Sequence, residues 1–70
     1  MDTIIGVIQD VSEEISGHRP LRGENFSFLD SLEYLDMLLE VERRTGISCP
    51  SGSYPDFVGE LAEILEGARR

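Results

Sequence analysis

Asp30-Ser31-Leu32 is the segment of this 70-residue chain in which residue types and spacing could support chemistry. Asp30 has the character of a helix N-cap, and Glu33 three residues later completes a capping box. Ser31 then falls at the first helical position, where its hydroxyl can face water. Free backbone N–H groups and the positive end of the helix dipole surround that position, so a phosphate esterified to Ser31 would be well accommodated. The pattern suits an attachment point better than a catalytic nucleophile. His18, the one histidine, belongs to a Gly-His-Arg-Pro loop, with no recognisable base–orienter arrangement around Ser31. No catalytic residue is assigned, and the chain is not expected to be an enzyme. On local sequence alone, Ser31 is better accounted for as a plain exposed helix-start residue.

The remaining reactive residue types offer less. One cysteine, Cys49, cannot form an internal disulfide, and one Cys with one His is no zinc site of the usual kind. The carboxylates lack the Gly-centred loop spacing of a calcium site, so no metal is expected. A net charge of −8 argues against nucleic acid and equally against anionic membranes. It favours partners that carry basic patches. There is no Lys; arginine supplies all the fixed positive charge. Met1 to Val11 has an acid at position 2 and no basic n-region, and the apolar runs are far too short to span a bilayer. The expectation is a cytoplasmic monomer.

The elements that must position Ser31 follow from periodicity. A hydrophobic fraction of 40% suffices for one small core, so residues 1–70 read as a single all-α domain. The first helix is expected from about Thr3 to Ile15, with Ile4, Ile8, Val11 and Ile15 inward, ending at Gly17 ahead of Pro20. A long loop follows over 16–29. At least two of its apolar residues, Leu21, Phe26, Phe28 and Leu29, should pin it across the core. The second helix is expected from Ser31 to about Thr45. At roughly 3.6 residues per turn, Tyr34, Met37, Leu38 and Val41 share the core face. Leu32, Leu35 and Leu39 lie on another face, beside Glu33, Asp36 and Glu40. Either loop aromatics cover that second face, or Leu32 and Leu39 form an exposed docking patch rimmed by carboxylates. Gly46 caps the helix, and Arg43 and Arg44 suit its negative end. A connector over 46–54 has room for one short turn. The last helix is expected over about 55–66, with Pro55 at its first position and Phe57, Val58, Leu61, Ile64 and Leu65 inward.

The stretch Phe28-Leu29-Asp30-Ser31-Leu32-Glu33, with the acidic helix behind it and the Gly46-Ile47 exit, resembles the acyl carrier proteins. The resemblance covers nearly the whole chain. It implies a small bundle with a long first loop and a short extra helix in the second connector. It further implies that Ser31 accepts a 4′-phosphopantetheine arm from coenzyme A. A Mg²⁺-dependent phosphopantetheinyl transferase would install that arm, and its thiol would hold acyl cargo as a thioester. Asp30 matches the family's acid before the serine and Leu32 the residue that packs on partners. Glu33, Asp36, Leu39 and Glu40 would extend the docking surface for a loading ligase or transferase and for downstream biosynthetic enzymes.

The chain departs from the family pattern at several points. Ser27-Phe28-Leu29 replaces the small residues that usually precede Asp-Ser-Leu, and Arg43 is basic where many members are acidic. The connector from Cys49 to Pro55 is short, which argues against the extra helix. These departures point from housekeeping fatty-acid biosynthesis towards a free-standing carrier in polyketide or other specialised natural-product biosynthesis. Leu29-Asp30-Ser31 also resembles D-alanyl carrier proteins, and peptidyl carriers fit less well, so acyl and aminoacyl cargo both remain open. An unmodified acidic docking or adaptor module would explain the charge, the size and the spare leucines, but not the placement of Ser31. A tight core without a large cavity is expected.

Overall fold

The computed structural model describes residues 3–50 and 52–69; Ser51 of the connector and the two chain ends lie outside the described residues. Three helices form among them: α1 (Ile4–Ser16), α2 (Ser31–Thr45) and α3 (Val58–Ala68). The fold is a small all-α bundle. Thr3 caps α1 by accepting the Gly6 N–H at 3.0 Å. Gly17 and Gly46 end α1 and α2 in the left-handed region, at φ 81° and 72°, where a side chain would be strained. No helix among the described residues is long and apolar enough to cross a membrane.

The apolar faces meet as their spacing demands. Ile4, Val7, Ile8 and Val11 of α1, Met37 and Val41 of α2, and Val58, Leu61, Ala62 and Leu65 of α3 are buried together. From the long loop, Phe26 and Leu29 join this core and Phe28 packs half-buried against it, so the loop is pinned as expected, whereas Leu21 stays exposed. Pro20 is held by the Gln9 amide, which donates to its carbonyl at 3.0 Å. Helix α1 packs against both α2 and α3, but the backbones of α2 and α3 do not come into contact. Arg44 adds a link from α2 to α1, donating to Glu14 at 2.7 and 3.0 Å. Exposed pairs of this kind contribute little individually.

Helix α3 begins three residues later than Pro55 suggests. Residues 55–57 stay outside the helix because the long loop takes backbone partners there. Asn25 and Phe57 form an antiparallel bridge, the Phe26 N–H donates to the Asp56 carbonyl at 2.8 Å, and the Val58 N–H donates to the Glu24 carbonyl at 2.9 Å. The Gly59 N–H is likewise taken by the Arg22 carbonyl at 2.9 Å. Loop carbonyls thus satisfy the first N–H groups of α3, which has no side-chain cap. Phe57 becomes the N-cap and is 45% exposed, so it does not belong to the buried face assigned to it, and Ile64 is only half-buried. Between Gly46 and Phe57 the described residues hold no helix; the Ser53 N–H donates to the Pro50 carbonyl at 3.0 Å in a single turn.

Candidate functional site

Ser31 is the first residue of α2 and its side chain is exposed. The capping box anticipated around it is complete. Asp30 Oδ1 accepts the Glu33 N–H at 2.8 Å, and Glu33 Oε1 accepts the Asp30 N–H at 3.1 Å. The Tyr34 N–H goes to the Asp30 carbonyl at 2.9 Å. The N–H groups of Ser31 and Leu32 have no acceptor among the described residues, which leaves two donors at the positive end of α2 beside the hydroxyl.

Ser31 borders a groove of about 550 Å³ that is open to solvent. Its aromatic walls are Phe26, Tyr34, Tyr54 and Phe57, and its polar lining includes Asn25, Asp30 and Asp56. A smaller slot of about 280 Å³, lined by Ser31, Tyr34, Leu35 and Tyr54, presents only apolar surface. Tyr34 is the fixed member of both. Its hydroxyl donates to the Pro55 carbonyl at 2.8 Å, and its ring stands edge-on to Phe26 at 5.2 Å and 85°. Burial, with Cys49 and Asp56 nearby, pushes its phenol up to about 12. Beneath it Met37, Val58 and Leu61 are fully buried, and the groove is a surface feature open to solvent.

The docking residues read from sequence lie on α2 but differ in what they offer. Leu32 and Leu39 are 73% and 67% exposed, so the second apolar face is uncovered; the loop aromatics Phe26 and Phe28 pack into and against the core instead. Asp36 is exposed, while Glu33 is half-buried and committed to the capping box. Glu40 is gripped by Arg43 at 2.8 and 3.1 Å and by Arg44 at 2.9 Å. Those guanidiniums hold its carboxyl down at about 2. The acidic stripe therefore weakens along the helix, from Asp30 and Asp36 to a Glu40 already paired within the chain. The spacing of Glu40 to Arg43 and Arg44, three and four residues, was the available signal for this.

Two other reactive side chains serve the scaffold. His18 Nε2 lies 2.7 Å from Glu24 Oε2, and the imidazole meets the Phe28 ring edge-on at 4.9 Å. Its hydrogen bond holds the Glu24 carboxyl below its ordinary range. Cys49 is half-buried and donates to the Ser53 carbonyl at 2.9 Å, and burial pushes its thiol up, the opposite of an activated cysteine. No group of three His, Cys, Asp or Glu side chains among the described residues is arranged to hold a metal ion. Tyr54, Asp56 and Phe57 were missed as groove residues. They follow no helical period, and an aromatic between turn residues was their only mark. Comparison with protein-family models, with curated proteins and with solved structures finds no match to this chain.

Proposed function

We propose that this chain is a carrier protein that holds an acyl group on a 4′-phosphopantetheine arm attached to Ser31. The carrying observation is the environment of Ser31: an exposed hydroxyl at the head of α2, two backbone N–H groups without acceptors among the described residues, and an open groove alongside. These features fit the arm. A phosphodiester at Ser31 Oγ would lie where helix N–H groups favour an anion, and an uncharged amphipathic chain would have both aromatic and polar groups to rest on. The arm supplies a terminal thiol for a thioester. The protein supplies a folded platform and a recognition surface.

Attachment joins Ser31 Oγ to the phosphorus that bears the pantetheine portion of coenzyme A. The pyrophosphate P–O bond breaks, adenosine 3′,5′-bisphosphate leaves, and the serine proton passes to a base on the transferase. No base within the chain is needed, in keeping with His18 being engaged by Glu24. Leu32, Leu35 and Leu39 with Asp36 then present a partner surface of modest area, the kind several enzymes can use in turn. A carrier that meets coenzyme A and reduced thiols would work in the cytoplasm.

The exposed leucine face favours a second reading, an unmodified acidic adaptor that docks through α2. Intact-protein mass spectrometry separates the two. With coenzyme A, Mg²⁺ and a broad-specificity phosphopantetheinyl transferase, the wild type should gain one phosphopantetheine and Ser31→Ala none. No gain from folded wild type with several transferases would sink the carrier reading and leave the adaptor.

A further inference from the structure

The exposed face of α2 carries an order of charges as well as leucines. Leu32, Asp36, Leu39 and Arg43 follow one another at spacings of four, three and four residues, which sets them in one stripe along the helix. Leu32 and Leu39 are largely exposed, and Leu35 flanks them. Asp36, Leu39 and Arg43 line the same open depression, so the three side chains face the same way. Asp36 forms no salt bridge among the described residues. Arg43 meets Glu40 through Nε and Nη2, which leaves Nη1 without an acceptor among the described residues, on a side chain 78% exposed. An acid and a base thus bracket Leu39, the acid three residues before it and the base four residues after it.

We propose that this stripe is self-complementary, and that two copies of the chain pair through it, α2 against α2, antiparallel about a twofold axis at Leu39. Asp36 of each copy then meets Arg43 of the other, and the two Leu39 side chains meet between those ion pairs. A parallel pair would set Asp36 on Asp36 and Arg43 on Arg43, which like-charge repulsion disfavours. A uniformly basic patch on some other protein would match Asp36 and bring like charge to Arg43. A second copy supplies both signs in the matching order. One helix stripe buries less than the roughly 1,000 Å² expected of a stable interface, and the net charge of −8 on each copy opposes approach. The pair is therefore weak and forms at high protein concentration. At 1.5 Å per residue, Ser31 stands about 13 Å along α2 from the axis, so both serines lie at the ends of the pair. Leu39 and its neighbours are covered instead. Pairing and docking of another protein on that face exclude each other, so the pair keeps the face covered until a tighter partner takes it. The pairing stands whether or not Ser31 carries an arm.

The test is sedimentation equilibrium of the unmodified full chain at concentrations up to about 1 mM, which detects even a millimolar pair. The wild type should shift from the mass of one chain towards that of two as concentration rises. Asp36→Arg and Arg43→Asp, each shown to be folded by circular dichroism, should weaken association by about tenfold or more, because each sets like charges together. Asp36→Arg also lowers the net negative charge, so general repulsion alone would make that variant associate more strongly. The double variant Asp36→Arg/Arg43→Asp reverses both ion pairs and should restore the wild-type behaviour. A single-chain mass at every concentration, or association that neither single variant weakens, would overturn the pairing. Loss in both single variants that the double variant fails to restore would overturn the antiparallel register, and the proposal with it.

Discussion

Asp30 and Ser31 are adjacent, yet substituting them should separate stability from modification. Asp30 satisfies the Glu33 N–H and anchors a reciprocal capping box. Asp30→Ala should cost about 1 kcal/mol, typical of a lost N-cap. In a domain of this size that lowers the thermal midpoint by roughly 4–8 °C, readable by circular dichroism. Ser31 is exposed and bonds to nothing that holds the helix, so Ser31→Ala should change stability by no more than about 0.5 kcal/mol. If Ser31→Ala were as damaging as Asp30→Ala, the hydroxyl would be a structural group and not a free one. Both residues were legible from sequence because capping chemistry is local and stereotyped. The pairing state of Glu40 was legible only in part: its spacing to two arginines was visible, but the bond from Arg44 to Glu14 on α1 depends on how the helices pack.

Among the elements, α2 was the most legible, since its cap, periodicity and Gly46 terminus agree with one another. The start of α3 was not. Pro55 and Asp56 carry local helix-start signals, and tertiary pairing of residues 55–57 with the long loop overrides them. The groove was invisible for the same reason: it exists only because that pairing sets Tyr54 and Phe57 opposite the head of α2. Tyr34 is the strut between these parts. Tyr34→Phe removes the bond to the Pro55 carbonyl while keeping the ring against Phe26, and should cost about 1 kcal/mol by urea denaturation. It should also increase hydrogen exchange at the Phe26 and Val58 amides, which donate to and from the segment that Pro55 leads. Unchanged exchange there would mean the connector is held without the tyrosine hydroxyl.

At the scale of the whole molecule, a net charge of −8 sets two behaviours. Association through Asp36 and its neighbours with a basic partner should weaken as salt rises, chiefly through slower association. Acid should act through Glu40. Its carboxyl sits near 2 in the fold because Arg43 and Arg44 bind it, against an ordinary value of 4.5. A lowered folded value means the stabilisation is fully present above pH 4.5 and fades as pH falls towards 2. Glu40→Gln should flatten that part of the stability–pH curve measured by thermal denaturation; an unchanged slope would assign acid sensitivity to Glu14 and Glu24, which are also lowered. The backbone of α1 lies close to both of its fellows, while those of α2 and α3 stay apart and meet only through side chains in the core. The molecule is therefore a spine with two leaves that share one core over it. At the serine end the leaves are further tied by a tyrosine bond and a short stretch of backbone pairing. A partner that tilted α2 on the spine would have to break those bonds and disturb the core that the two leaves share.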